Sequence, residues 1–263
     1  METLSRPWGE MHIHVTGPAH GPLVLFANSL GTDLRVWDPL LPHLPAGLRV
    51  ARFDKPGHGL SDLAETVTID GLAEDAAALI EALGGGSPAV VVGLSIGGLI
   101  AQALAAKRPG LVRAMVLSNT AACIATPEIW AQRIAAVEAD GMVSLTDATM
   151  ERWFTETFRA TPALAVWRNM LQRTPAAGYA ACCRAIAATD LTASTTGLRL
   201  PTLAIAGAHD GSIPPDVVEA TARLIPGAEF HVLPDAGHIP GVETPAAVAA
   251  LLTPFLEAHA HDR

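Results

Sequence analysis

The sequence predicts an α/β protein in which a mostly parallel sheet is flanked by helices and carries an inserted, all-helical cap. Short apolar runs typical of strands alternate with helix-like segments on both sides of a central block at residues 126–190. Within that block the strand signals vanish and the segments are typical of helices. A chain of 263 residues fits one large domain with such an insertion.

The first half of the chain supplies the early strands. Residues 11–15 alternate between apolar and polar side chains, which predicts a half-exposed edge strand. Residues 23–27 and 50–53 are continuous apolar runs, typical of strands buried on both faces. Residues 69–83 have helical spacing and stop at three glycines, and residues 90–92 form the next buried strand.

The second half repeats this alternation around the central block. We expect a helix at residues 97–107, strands at 112–117, 203–206 and 230–233, and a final helix at 245–258. The predicted division is a first core part at residues 1–122, a helical cap at 123–190, and a second core part at 191–263.

The composition excludes some partners and favours a compartment. The formal net charge of −9 disfavours nucleic acid and anionic membranes as partners. Three cysteines, two of them adjacent, do not form a disulfide framework, and no signal peptide precedes the first strand, so a reducing cytoplasm is expected. The oligomeric state stays open between a monomer and a small homo-oligomer.

Two features invite a metal or redox interpretation that we do not favour. The loop at residues 54–62 contains His58 between glycines, and we expect it to be structural. Cys182 and Cys183 are expected to be buried helical residues. No metal and no cofactor is predicted.

The motif Gly93-Leu94-Ser95-Ile96-Gly97 carries the chemistry. It follows a buried strand and precedes a helix, which is the context of a nucleophile elbow, a strained turn that exposes its serine. The alternative is a glycine-rich turn that happens to contain serine. The context favours Ser95 as the nucleophile of an α/β-hydrolase fold.

Serine needs a base, and the base needs an orienting carboxylate. His238 follows the last strand, in a loop at the sheet edge that also holds Ser95. Asp210 directly follows the preceding strand, which gives the chain order serine, aspartate, histidine that this fold uses. Asp216, expected to begin a helix, and Asp235, close to the histidine in sequence, are the less favoured candidates.

The oxyanion of a tetrahedral intermediate needs two N–H donors. One is expected from the backbone of Ile96, directly after the nucleophile. The other is expected from the loop after the strand at residues 23–27, where Leu30 is the best candidate. Ser29, beside it, is placed in the substrate pocket.

Beyond the elbow, several segments together resemble one family. They are residues 28–33 with Trp37, 93–98, 118–122, 126–130 with Arg133, Trp153-Phe154 and 178–180. The chain resembles the 3-oxoadipate enol-lactonases, α/β-hydrolases of the bacterial β-ketoadipate pathway, over nearly its whole length. It departs from them at Lys55-Pro56, where a Thr-Arg type pair is more usual, and at residues 212–215.

The resemblance implies a small anionic lactone as substrate, a five-membered ring with a carboxymethyl arm. Its carboxylate needs a cation, which arginine provides in bidentate geometry. We favour Arg133, one helical turn from Trp130, with Trp130 and Trp153 as walls around the ring. The other cap arginines are less favoured for this role, and most of them are expected to be solvated or packed on the cap surface: Arg152, Arg159, Arg168, Arg173 and Arg184.

Other functions stay open. A general carboxylesterase or a hydrolase of carbon–carbon bonds has the same fold and the same nucleophile. A haloalkane dehalogenase is disfavoured because it needs an aspartate where Ser95 stands. A non-catalytic ligand-binding member of the fold is the alternative from another class.

Overall fold

The computed structural model describes residues 1–260, so the last three residues of the predicted second core part lie outside the described residues. It contains one eight-stranded sheet in the order β1-β2-β4-β3-β5-β6-β7-β8. The strands are β1 (Glu2–Arg6), β2 (Gly9–Thr16), β3 (Leu23–Ala27), β4 (Arg49–Phe53), β5 (Ala89–Leu94), β6 (Val112–Ser118), β7 (Thr202–Gly207) and β8 (Glu229–Leu233).

The sheet is mostly parallel, as predicted. All neighbouring pairs from β4 through β3 to β8 run parallel, whereas β2 pairs in antiparallel fashion with both of its neighbours, β1 and β4. The prediction of an edge strand at residues 11–15 is wrong, because β2 lies between β1 and β4. The alternation in β2 reflects one solvated face, which an internal strand of an antiparallel region can have. The true edge, β1, is short and polar and gave no strand signal.

The described helices flank the sheet or form the central block. They are α1 (Ile69–Gly84), α2 (Ile96–Lys107), α3 (Pro127–Asp140), α4 (Thr146–Trp153), α5 (Glu156–Arg159), α6 (Leu164–Gln172), α7 (Ala176–Ala187), α8 (Thr192–Thr196), α9 (Pro215–Ala222), α10 (Pro240–Glu243) and α11 (Pro245–His259). Short 3₁₀ helices occur at Leu34–Trp37, Leu41–His43, Pro109–Leu111 and Met142–Leu145. Helices α3 to α7 occupy the segment between β6 and β7, where the sequence lost its strand signals.

Local signals explain why these elements form and end. Every residue of β3, β5 and β7 is buried, which matches their unbroken apolar runs. Helix α1 begins after Thr68, whose side chain accepts the N–H of Gly71, and ends at Gly85 with a φ of 57°. Cys182 and Cys183 are buried in α7, as predicted. Among the described residues, no helix is both long and apolar enough to cross a membrane.

The sheet brings five loops to one edge. Strands β3, β5, β6, β7 and β8 run parallel, so their carboxyl ends meet on the same side of the molecule. The residues that follow these ends include Leu30, Ser95, Asn119, Asp210 and His238. Ligands of open α/β sheets bind at this edge.

Candidate active site

Ser95 lies on a strained turn between β5 and α2. Its φ of 57° and ψ of −118° are uncommon for a residue with a side chain. The turn requires glycine nearby, since a Cβ at Gly97 would lie 1.9 Å from the carbonyl oxygen of Ala27. Gly97 therefore lets the helix start approach β3, and the strain turns the Ser95 side chain towards the cavity at the sheet edge.

His238 and Asp210 form a buried pair behind that cavity. The Nδ1 of His238 lies 2.8 Å from the Oδ2 of Asp210, and both residues are almost fully shielded from solvent. An ionised carboxylate only accepts hydrogen bonds, so Nδ1 carries the proton and Nε2 is left to accept one. The other carboxylate oxygen, Oδ1, accepts the backbone N–H groups of Ser212 and Ile213 at 2.7 and 2.9 Å.

Asn119 is a site residue that we did not single out from sequence. Its Nδ2 donates to the Oδ2 of Asp210 at 2.9 Å and to the carbonyl oxygen of Gly237 at 3.1 Å. The Ser118 hydroxyl donates to its Oδ1 at 2.9 Å. Asn119 has a φ of 49°, a conformation that asparagine tolerates better than most residues. It thus joins the aspartate loop to the histidine loop.

The two other acidic candidates lie elsewhere. Asp216 stands in the first turn of α9, as expected from the sequence. Asp235 is exposed and lines a separate surface groove with His209. Neither is the carboxylate that His238 contacts.

The loop at residues 54–62 is joined to its neighbours by hydrogen bonds of His58. Gly31 donates its N–H to the Nε2 of His58 at 3.1 Å, and the Nδ1 of His58 donates to the carbonyl oxygen of Pro56 at 3.1 Å. Burial and, to a smaller extent, the nearby Lys55 ammonium together lower the pKa of His58 to about 3, so the ring is neutral. Among residues 1–260, no three histidine, cysteine or acidic side chains lie together as metal ligands would.

One narrow cavity brings most of the predicted residues together. Its lining includes Ser29, Leu30, Ser95, Trp130, Arg133, Trp153 and His238. It also includes residues that we did not assign to the pocket from sequence, namely Ile124, Ala125, Thr149, Arg152, Tyr179, Ser212 and Ile213. Ile96 is buried beneath it as the first residue of α2, so its N–H has no partner within the helix.

Two arginines of the cap line this cavity. The Arg133 guanidinium carbon lies 4.8 Å from the centre of the Trp130 ring, as expected for side chains one helical turn apart. Arg152, which we ranked below Arg133 as a substrate contact, is half-buried, and its Nε has no hydrogen-bond partner among the described residues. Burial lowers the pKa of Arg152, and the charge of Arg133 lowers it further. The two cations are therefore close to each other.

Other cap arginines are already paired with carboxylates. Arg184 lies 2.8 Å from Glu138, Arg159 lies 4.0 Å from Glu151, and Arg168 contacts Asp147. Within residues 1–260, neither Arg133 nor Arg152 forms such an ion pair. Their positive charges are available to a ligand in the cavity.

The C-terminal end of α4 is hydrogen-bonded to His238 and to Gly211, the residue after Asp210. The His238 N–H donates to the carbonyl oxygen of Trp153 at 2.8 Å, and the Gly211 N–H donates to that of Arg152 at 3.1 Å. Carbonyl groups at a helix end lack partners within the helix, and these amides satisfy two of them. Glu243 adds a second link, because its carboxylate accepts the Gly237 N–H at 2.6 Å and the Thr155 N–H at 2.9 Å.

Fold and site geometry are those of an α/β-hydrolase, and family comparison gives the same class. Residues 22–245 match the family model described as alpha/beta hydrolase fold, so the chain belongs to this family. Within it, the chain is 33% identical over 249 residues to 3-oxoadipate enol-lactonase 1 of Acinetobacter baylyi, covering 94% of this chain and 93% of that protein. The resemblance to the enol-lactonases is thereby confirmed.

Solved structures extend the comparison. The enol-lactonase of Burkholderia xenovorans superposes with a TM-score of 0.93 at 36% identity, over 97% of this chain and all of that one. A malate-bound thermophilic esterase from Thermogutta terrifontis superposes with a TM-score of 0.91 at 29% identity, over the full length of both chains. The chain is thus a hydrolase of a family that holds esterases as well as enol-lactonases.

Proposed function

We propose that this hydrolase opens 3-oxoadipate enol-lactone to 3-oxoadipate through an acyl-enzyme on Ser95. The observation that carries the proposal is the pair Arg133 and Arg152, two arginines without carboxylate partners in the cavity that Ser95 and His238 also line. A lactone with a free carboxylate arm matches this cavity, because its ring carbonyl can meet Ser95 and its carboxylate can meet the two arginines. The similarity to two enol-lactonases supports the same substrate.

In the first step, Ser95 attacks the lactone carbonyl carbon while the Nε2 of His238 takes the hydroxyl proton. Asp210 holds the Nδ1–H of His238, which fixes the tautomer and stabilises the imidazolium. The N–H groups of Leu30 and Ile96 receive the negative charge that develops on the carbonyl oxygen. Collapse of the intermediate breaks the ring C–O bond.

The leaving group explains why this ring opens readily. It is an enol oxygen, a better leaving group than an alkoxide, and it receives the proton from His238. The enol stays tethered to the acyl-enzyme because the substrate is cyclic. Water, activated by His238, then releases the acid from Ser95, and the enol becomes a ketone, which makes the ring opening effectively irreversible.

The cap supplies the recognition of the carboxylate. Arg152 is half-buried and donates to the Thr149 hydroxyl, but it has no carboxylate partner among the described residues, so a substrate carboxylate would stabilise its charge. Trp130 and Trp153 line the same cavity and present apolar walls to the ring. Ser29, in the loop that carries the oxyanion donor, completes our assignment of substrate contacts.

The test compares an anionic and a neutral substrate. Loss of the enol-lactone is followed by ultraviolet absorbance, and p-nitrophenyl acetate serves as the neutral ester, with wild type, Arg133→Ala and Arg152→Ala. We expect each variant to lose about 10- to 100-fold in kcat/KM for the lactone, the size of a charged hydrogen bond, with little change for the ester. Arg184→Ala removes a cap arginine that is paired with Glu138 and serves as the matched control.

The outcomes separate the proposal from its alternatives. Equal losses on both substrates would make the two arginines structural. Far faster turnover of short esters than of the lactone would make the chain a carboxylesterase, the function that its 29% identity to an esterase favours. A wild type that neither turns over substrate nor reacts at Ser95 with a fluorophosphonate probe would be a binding protein.

A further inference from the structure

Lys55 is a fully buried lysine whose ammonium lies behind the loop at residues 28–31. Its Nζ donates to the carbonyl oxygens of Asn28 and Ser29, at 3.1 and 3.0 Å. The register explains this placement, because β3 and β4 are parallel neighbours with Ala27 opposite Phe53. Lysine is almost never fully buried unless it is paired, and these contacts are carbonyl oxygens instead of a carboxylate. Burial of an ammonium group without a carboxylate partner is energetically unfavourable, which suggests that Lys55 has a functional role.

The hydrogen bonds around Leu30 show what the Lys55 ammonium does: it orients the Ser29–Leu30 peptide. The Ser29 carbonyl oxygen also accepts the hydroxyl and the N–H of Thr32, at 2.9 and 3.3 Å, while the Gly31 N–H is held by His58. The Ser29–Leu30 peptide is planar and trans, so its C=O and N–H point in opposite directions. With the carbonyl directed at Lys55, the Leu30 N–H points the other way.

We propose that Lys55 is a positioning residue of the oxyanion hole, whose buried ammonium fixes and polarises the Ser29–Leu30 peptide so that the Leu30 N–H stabilises the transition state. This rests on the proposed role of Ser95 as a nucleophile, but not on the identity of the substrate. Lys55 does not touch the substrate. It acts through the backbone of Leu30, a residue that lines the cavity.

The positive charge of Lys55 is expected to stabilise the transition state more than the bound substrate. A cation beside a carbonyl oxygen draws electron density from the peptide, which makes the N–H at its other end a stronger donor. The effect is large in a site that excludes water. Negative charge on the substrate oxygen is greatest in the transition state, so the loss of Lys55 lowers kcat more than it changes KM.

The protonation of Lys55 gives a second readout. Burial lowers the pKa of Lys55 to about 8, although Cys182, Asp54 and Asp33 raise it. Burial also raises the pKa of the Cys182 thiol to about 11, and His58 is already neutral, so neither changes charge near pH 8. The ammonium is thus present at neutral pH and lost above about pH 8, where kcat falls with it.

The experiment measures kcat and KM on p-nitrophenyl acetate and on the lactone, from about pH 7 to 9.5, for wild type and Lys55→Met. We expect kcat of the variant to fall about 10- to 100-fold at pH 7 on both substrates, with KM within about threefold. The alkaline decline of wild type is absent from the variant. Asp75→Asn is the control, since Asp75 binds Arg6 and Trp8 away from the site.

Each result decides the matter. An unchanged kcat in Lys55→Met, or a loss that Asp75→Asn also shows, overturns the proposal. If Lys55→Met does not fold, the wild-type profile remains, and a wild-type kcat that shows no alkaline decline anywhere from about pH 7 to 9.5 overturns the proposal. Turnover of the ester without turnover of the lactone would refute the proposed substrate while leaving the role of Lys55 testable.

Discussion

Replacing Glu243 by glutamine should loosen the loop that carries His238. The carboxylate accepts three hydrogen bonds, one from the Gly237 N–H at 2.6 Å and two from the N–H and hydroxyl of Thr155 at 2.9 and 2.7 Å. Glutamine keeps one acceptor oxygen and turns an NH₂ group towards a donor. The smallest rearrangement leaves the Gly237 N–H without a partner.

The structure sets the size of this effect. One hydrogen bond to a charged acceptor is worth about 1.5 to 3 kcal/mol, and partial exposure of Glu243 favours the lower end, about 2 kcal/mol. For a chain of this size, that loss corresponds to a decrease in Tm of about 4 to 8 °C. Because Gly237 precedes His238, we also expect kcat/KM to fall about tenfold through misplacement of the base.

Calorimetry and ester hydrolysis measure the two effects separately. Glu156→Gln is the matched control, because it removes the same charge from the same surface groove at an exposed residue. It should change the free energy of unfolding by about 0.5 kcal/mol or less. The reasoning is refuted if Glu243→Gln behaves like this control in both stability and kcat/KM.

Two further predictions concern His58 and Gly97. Because burial lowers the pKa of His58 to about 3, below its unfolded value near 6.5, its stabilising contribution is present above pH 6.5 and lost as the pH falls towards 3. Urea titrations between about pH 6 and 4 should show a decline about 1 kcal/mol per pH unit steeper in wild type than in His58→Gln. Gly97→Ala should cost more than about 2 kcal/mol, because its Cβ would collide with the Ala27 carbonyl, whereas Gly110→Ala, with open space around it, should change urea stability little.

Local sequence signals were enough for most of the fold. Continuous apolar runs mark strands that are buried on both faces, and glycine stops mark helix ends, so β3, α1 and β5 were predictable. The edge strand β1 was not predictable, because it is polar and forms only by pairing with β2 across the turn between them. Its five residues include one apolar side chain, Leu4, which is too few to reveal the two-residue alternation of a strand.

The site divides in the same way. Ser95, Asp210 and His238 could be proposed from sequence because each lies in the turn or loop after a strand, and the fold fixes which edge those strand ends share. Asn119 and Glu243 could not, since each joins segments that are far apart in the chain. Asn119 binds Asp210, and Glu243 binds Thr155 as well as the nearby Gly237. A contact of that kind leaves no periodicity or motif at either end.

Helix α4 of the cap contacts the core through its backbone and lines the cavity with its side chains. The C-terminal end of α4 contacts the His238 and Gly211 loops through the backbone carbonyls of Trp153 and Arg152, so this joint does not depend on which side chains α4 carries. Their side chains are therefore free to line the cavity, where we propose that they contact the substrate. Substitutions there can change the accepted acid without displacing the base. Sequence patterns that mark the catalytic loops are for this reason weak guides to specificity, and Arg152 was ranked below Arg133 although its neighbour Trp153 was expected in the pocket.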